Sequence, residues 1–156
     1  MARASLLLAV GRARKGPEAA LFEHYNARLR PPLLLKEVAE GSGSPGEMRL
    51  REAAALRAAL PADALTVAMD LGGETPDSDG LAALTARWEE SGRTVTFLIG
   101  GAEGLDPALL REAQFRLSFG RLTWPHMLVR PLLAEALFRS QCIRTNHPYH
   151  RSWRPT

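Results

Sequence analysis

The stretch TVTFLIGGAEGL, residues 94–105, joins a β-branched apolar run to a turn that contains three glycines. Its first six residues predict a buried strand, because β-branched and aromatic side chains favour the pleated backbone. The glycines predict a turn whose backbone comes close to a neighbour or a ligand. The stretch lacks G-x-G-x-x-G spacing and the Lys-Ser/Thr pair of a P-loop, which disfavours simple NAD or nucleoside triphosphate binding. A plain structural turn is the alternative.

Strand and helix patterns alternate on both sides of this stretch. Short apolar runs predict further strands at residues 5–10, 33–38, 65–71 and 115–119. Apolar residues spaced by three and four, with flanking Pro and Gly, predict helices at 17–30, 47–60, 78–90, 106–113 and 125–142. Residues 41–46 and 72–77 are predicted to be a loop and a turn. The alternation is typical of an α/β fold with a mostly parallel sheet flanked by helices.

Length and composition predict one ordinary globular domain over residues 1–156, with 46% hydrophobic and 24% charged residues. The single Cys142 excludes an intrachain disulfide and a multi-cysteine zinc site. No apolar run reaches the roughly 18 residues of a membrane span. The apolar N-terminus is followed at once by GRARK, residues 11–15, without a cleavage-type segment. We therefore expect a soluble, cytoplasmic protein.

Basic charge is concentrated at the C-terminal end of the chain. Residues 111–156 carry eight Arg against two Glu, for a net charge of +6, whereas residues 1–110 carry twelve basic and fifteen acidic groups. Three of the four His and two of the three Trp lie in the same segment. This mixture of Arg, His and aromatic residues is typical of surfaces that handle phosphates and bases. A solvated basic surface is the alternative.

Three loops follow predicted strands and form the expected ligand site, at residues 69–73, 100–104 and 120–125. In open α/β sheets, ligands bind beyond the carboxyl ends of the strands, where such loops meet. Leu122 and Trp124 could enclose an aromatic ring, while free backbone amides near the following helix would suit its polar edge. His126 and Arg130 lie four residues apart on one side of that helix, where they could present positive charge to an anionic substrate.

The tail TNHPYHR, residues 145–151, has two functional interpretations. In the first, Tyr149 stacks on a base, Arg151 contacts a phosphate and His150 is a polar or acid/base group. In the second, His147 and His150 join an acidic residue such as Asp70 in the metal site of a phosphoesterase, although Pro148 argues against a helical His pair. A frayed basic terminus is the alternative to both.

Five motifs taken together closely resemble the bacterial large-subunit ribosomal RNA pseudouridine N3-methyltransferases, small enzymes of the SPOUT class that use S-adenosylmethionine. The similarity runs from LLAVG at residues 7–11 to Arg151 and so covers nearly the whole chain. The motifs are FLIGGAEGL at 97–105, LSFGRLTWPH at 117–126, LVR at 128–130, EALFR at 135–139 and HPYHR at 147–151. The chain differs from the usual family pattern at Gly120, where a Ser is common, and in the extension at 152–156.

The resemblance implies a C-terminal trefoil knot, which ordinary connection rules would not predict. It also implies a homodimer and a ribosomal RNA substrate, methylated on the assembled ribosome at N3 of a pseudouridine, without a metal. The implied donor-binding residues are Met69, Gly100, Gly101, Phe119, Gly120, Arg121, Leu122, Thr123 and Trp124.

The resemblance gives side chains of α5 and the tail roles toward the RNA. His126, Arg130 and His150 are the candidates for steering the substrate or stabilising a developing imide anion. Tyr149, His150 and Arg151 would hold the nucleotide, with the tail of one subunit completing the pocket of the other. A non-catalytic RNA-binding module is the competing hypothesis, and it predicts salt-dependent RNA affinity without saturable donor binding.

Overall fold

The computed structural model describes residues 3–151, so the extension at 152–156 lies outside the described residues. Strands and helices alternate along this part of the chain. In chain order they are β1 (Leu6–Val10), α1 (Pro17–Asn26), β2 (Leu34–Val38), α2 (Pro45–Ala59), β3 (Ala64–Glu74), α3 (Ser78–Glu90), β4 (Thr94–Ile99), α4 (Pro107–Glu112), β5 (Phe115–Leu117) and α5 (His126–Arg144).

The five strands form one sheet in the order β2-β1-β4-β3-β5, and every neighbouring pair is parallel. This confirms the α/β architecture with a parallel sheet flanked by helices. Because all strands run in one direction, their carboxyl ends lie at one edge of the sheet. The loops that follow β3, β4 and β5 therefore meet at this edge.

Side chains of the central strands alternate between two hydrophobic clusters, one on each face of the sheet. Leu7 and Phe97 point into the larger cluster, which α1, α3 and α5 cover. Leu8 and Leu98 point into the smaller cluster, which contains Leu56 of α2 and Leu109 of α4. These central side chains are at most 1% exposed, as expected for a parallel sheet that helices cover on both faces.

Two predicted boundaries are wrong for reasons of hydrogen bonding. Helix α1 ends at Asn26 and not at residue 30, because the Asn26 amide bonds both the N–H and the carbonyl of Leu33 and starts a turn there. Strand β3 continues to Glu74 through the segment predicted to be a turn. It does so because the Glu74 carbonyl accepts the N–H of Ser118, which extends the pairing with β5.

The other boundaries differ by a few residues. Helix α2 begins at Pro45, because the Ser44 side chain caps it by accepting the N–H of Glu47. Strand β5 ends at Leu117 instead of residue 119, and α5 continues to Arg144. Neither change moves the loops that form the site.

Candidate functional site

A cleft of about 200 Å³ opens beyond the carboxyl ends of β3, β4 and β5. The structure brings eight of the nine predicted donor-binding residues together around it, and Arg121 is an exposed residue that does not line it. The eight are Met69, Gly100, Gly101, Phe119, Gly120, Leu122, Thr123 and Trp124.

The loop after β4 forms one wall of the cleft as a tight turn. Gly104 donates its N–H to the Gly101 carbonyl at 3.0 Å, and it has a left-handed backbone with φ of 76°. Gly100 and Gly101 are buried. A side-chain carbon added at Gly100 would lie 2.7 Å from the Gly104 carbonyl carbon. Glycine is therefore required at position 100 by close backbone approach, and not only by flexibility.

The loop between β5 and α5 forms the opposite wall. The Ser118 hydroxyl accepts the N–H of Gly120 at 3.1 Å and donates to its carbonyl at 2.8 Å, which holds Gly120 at a φ of 110°. Among residues 3–151, the backbone N–H groups of Leu122, Thr123 and Trp124 donate to no protein acceptor. The cleft thus offers unused donors beside the exposed apolar side chains of Leu122 and Trp124.

His126 begins α5 and lines this cleft, and its Nε2 is buried without a hydrogen-bond partner among the described residues. Asp70 was not among the predicted donor-binding or catalytic residues, although the predicted ligand loop at residues 69–73 contains it. It lies in the later part of β3 and also lines the cleft. Among the lining residues, Asp70 and His126 are the two with titratable side chains. The signal that could have found Asp70 is its place directly after Met69.

Arg130 is buried at 3% exposure and does not line the cleft, although it was predicted to contact the substrate. Its Nη1 lies 2.5 Å from Glu37 Oε2, and its Nη2 donates to the Gly11 carbonyl at 2.7 Å. Burial raises the pKa of Glu37, but hydrogen bonds from Arg130 and from the Ala13 N–H outweigh it and hold that pKa below its ordinary value. The guanidinium thus fixes the carboxyl end of β1.

The predicted RNA-binding tail packs on the α5 helix of its own chain. The Tyr149 hydroxyl donates to Glu135 at 2.9 Å, and the Arg139 guanidinium lies 4.7 Å from the Tyr149 ring centre. Burial and the Glu135 carboxylate both raise the pKa of Tyr149. His150 Nδ1 lies 3.2 Å from Arg139. The single chain does not bring Tyr149 or His150 to the cleft, and Arg151 is exposed.

The single chain does not assemble the metal site proposed for Asp70, His147 and His150. Asp70 lines the cleft, whereas His147 and His150 lie beyond the C-terminal end of α5. Within residues 3–151, no three His, Cys, Asp or Glu side chains are grouped so that they could hold a metal ion. The helices of this part of the chain include none that is long and apolar enough to cross a membrane.

The parallel sheet and the cleft beyond its carboxyl edge correspond to a known class of methyltransferase. Residues 4–150 match the family described as "Predicted SPOUT methyltransferase". The chain therefore belongs to the SPOUT methyltransferases. Two solved structures share this fold, at 10% and 15% sequence identity.

The first is a probable methylase family protein from Haemophilus influenzae, which superposes on 97% of this chain and 72% of its own with a TM-score of 0.57. The second is the SpoU methyltransferase AviRb from Streptomyces viridochromogenes, solved in complex with the cofactor AdoMet. It covers 90% of this chain at a TM-score of 0.50, and the match spans 59% of the AviRb chain.

Curated relatives define the family more narrowly. Proteins named ribosomal RNA large subunit methyltransferase H are 52% identical in Gluconacetobacter diazotrophicus and 49% identical in Acidiphilium cryptum. Each match covers 96% of this chain, with 98% and 94% of the respective relative. Within the SPOUT class, the chain belongs to this ribosomal RNA large subunit methyltransferase H family.

Proposed function

We propose that the protein transfers the methyl group of S-adenosylmethionine to N3 of a pseudouridine in large-subunit ribosomal RNA. The names of the curated relatives support the ribosomal RNA substrate. The observation that carries the proposal is the cleft, whose walls are the loops that the family resemblance selects for the donor. We further propose that the enzyme acts in the cytoplasm as a homodimer with a knotted C-terminal half.

The chemistry of the cleft fits the donor. S-adenosylmethionine combines a flat adenine, a polar amino-acid end and an electrophilic sulfonium methyl group. The unused N–H groups of residues 122–124 suit the acceptor nitrogens of adenine, and Leu71, Leu122 and Trp124 supply exposed apolar surface for its ring. The tight turn at Gly100 keeps this wall compact, because the backbone of Gly104 packs directly against Gly100.

Methylation at N3 requires the imide proton to leave the acceptor base. Asp70 and His126 are the lining side chains that can take a proton, and no partner within residues 3–151 competes for His126 Nε2. We assign His126 to the acceptor side of the cleft. Arg130 is a positioning residue in this scheme, because its guanidinium is already bound to Glu37 and to the backbone of Gly11.

The tail completes the site from the partner subunit in this proposal. Tyr149 and Arg151 would hold the nucleotide, and His150 would contribute a polar group beside it. The support is geometric, since the tail does not line the cleft of its own chain. In an arrangement of this kind, dissociation of the dimer inactivates the enzyme.

The test incubates the purified protein with labelled S-adenosylmethionine and ribosomes that lack the modification, followed by digestion and mass spectrometry of the nucleosides. We expect N3-methylated pseudouridine, and treatment with a chelator should not reduce it. Methyl incorporation into another nucleoside would overturn the acceptor assignment. Salt-dependent RNA binding without saturable donor binding would instead support a non-catalytic RNA-binding module.

A further inference from the structure

A second cavity lies beside the donor cleft and shares His126 with it. Its volume is about 410 Å³, and it is enclosed by the loop between β1 and α1, by α1 itself and by the start of α5. The proposed methyl transfer uses only the donor cleft and the tail. The shared histidine places this second cavity next to the reacting groups.

Three cationic residues within four positions border the cavity on the β1–α1 loop. Arg12, Arg14 and Lys15 all line it. Within residues 3–151, none of the three forms an ion pair, although other exposed arginines such as Arg3 and Arg57 are paired with carboxylates. Their charges are therefore available to an external anion.

The backbone of this loop is held in place from inside the protein. Glu37 Oε2 accepts the N–H of Ala13 at 2.6 Å and also binds the buried Arg130. Arg130 in turn donates to the carbonyls of Val10 and Gly11, directly before the loop. A backbone that is already fixed needs no ordering when the loop binds a ligand, so the entropic cost is limited to the side chains, which favours a binding site over a mobile basic loop.

Carboxylates limit where an anion can bind. Glu18, Glu23 and Glu40 also line the cavity, so its lining is not uniformly positive. An anion is favoured on the side of the loop, where the three cations lie together. The carboxylates can accept N–H groups of a base, which is compatible with a nucleotide but unfavourable for a large polyanion filling the cavity.

We propose that the loop at residues 12–15 binds a phosphodiester of the acceptor RNA next to the target nucleoside, which assigns the second cavity to the RNA strand. The inference rests on the proposed function, because it takes the acceptor to be RNA. It assigns the positive charge at the N-terminal end of the chain to substrate binding, in addition to the basic tail. Arg12 and Arg14 offer planar groups that match phosphate oxygens.

The test compares the double variant R12A/R14A with the matched control R87A/R111A. The control removes the same charge from exposed arginines in the last turns of α3 and α4, at the opposite edge of the sheet. Affinity for ribosomes lacking the modification and for their isolated large-subunit RNA is measured across a salt series. We expect R12A/R14A to weaken binding about tenfold or more and to reduce the salt slope by about 0.7, the value for one lost phosphate contact on a single strand.

Donor affinity separates this inference from a defect in the cleft. R12A/R14A should bind S-adenosylmethionine like the wild type, with a raised KM for RNA and a largely retained kcat, and R12K/R14K should restore most of the salt slope. An RNA affinity and slope equal to those of the control would overturn the inference, as would loss of donor binding. A wild-type protein that binds RNA but transfers no methyl group would overturn the proposed function alone.

Discussion

Gly100 and Gly46 give opposite expectations for the same substitution. Gly100→Ala places a carbon 2.7 Å from the Gly104 carbonyl carbon, so the turn must open and the donor wall must shift. Gly46 lies in α2 with no atom within 4 Å of an added carbon, so Gly46→Ala should stabilise the helix by about 0.5–1 kcal/mol.

We expect Gly100→Ala to weaken donor affinity more than tenfold, which titration calorimetry with S-adenosylmethionine would measure. Thermal unfolding would compare the stability of the two variants. Gly46→Ala is the control for donor binding and should leave it unchanged. Wild-type donor affinity in Gly100→Ala would show that this turn is not a wall of the donor site.

The Glu37 carboxylate gives a stability effect that depends on pH. Its pKa is lowered from the ordinary value of 4.5 in the folded protein, so its contribution is present above about pH 4.5 and is lost as the pH falls through the folded pKa. Glu37→Gln leaves the buried Arg130 without its counter-charge at every pH. The variant should lose about 3 kcal/mol of unfolding free energy at pH 7.

Urea unfolding of wild type and Glu37→Gln between pH 3 and pH 8 would measure this effect. The difference between the two proteins should be largest near neutral pH and should shrink in acid, where the wild-type carboxyl is protonated. A difference that stays constant over the whole range would mean that the carboxylate charge does not support Arg130.

Individual residues differ in how well the sequence predicts their place. The residues that line the cleft were predictable because they follow strands, and the carboxyl ends of parallel strands lie at one edge of the sheet. Arg130 was placed correctly on the same side of α5 as His126, yet helical spacing does not say what that side faces. Its partner Glu37 is 93 residues away in sequence, a distance at which no local pattern carries information.

At the scale of elements, β3 shows how pairing overrides local propensity. Its two glycines predict a turn at residues 72–77, yet Met69 and Glu74 both pair with Leu117 of β5, with an irregularity between them. An added carbon at Gly73 would lie 2.7 Å from the backbone of Arg116, so glycine there permits close packing of the two strands. The pairing partner that keeps this segment extended is β5, which α3, β4 and α4 separate from β3 in the sequence. A local pattern within β3 therefore cannot predict the pairing.

The docking of the tail on α5 gives a prediction about a single hydroxyl. Tyr149→Phe removes the hydrogen bond to Glu135 but keeps the ring against Phe138 and Arg139. We expect a local loss of about 1 kcal/mol, seen as faster amide hydrogen exchange at His147 and Tyr149, whose N–H groups donate to the Cys142 carbonyl and to His147 Nδ1. Exchange in β1 and β4 serves as the internal control and should not change. Equal exchange of the tail in both proteins would mean that other contacts hold it.

At the scale of the whole molecule, the single chain separates two parts of the proposed site. The donor cleft is at the carboxyl edge of the sheet, while the tail lies on α5 and its Arg151 is exposed. In the proposed homodimer, a two-fold axis that places the tail of each subunit at the cleft of the other would join them. Because the cleft and the tail lie apart in one chain, it can be tested whether each active site combines the cleft of one subunit with the tail of the other.

Mixed dimers of two inactive variants decide whether sites are shared. Gly100→Ala disables the donor cleft and keeps the tail, whereas Arg151→Ala should keep donor binding and lose methylation of the RNA. If the tail acts on the partner, each mixed dimer contains one site with an intact cleft and an intact tail, and one site with both defects. Random pairing of equal amounts then recovers about a quarter of the wild-type rate, because about half of the dimers are mixed and each has one working site.

The measurement is methyl incorporation into ribosomes after the two variants are co-expressed and purified together, with each variant alone as the control. Recovery should fall to zero when the two proteins are mixed without subunit exchange. No recovery in dimers shown to be mixed would place the tail on the cleft of its own chain, and the packing of Tyr149 on α5 would then have to rearrange during the reaction.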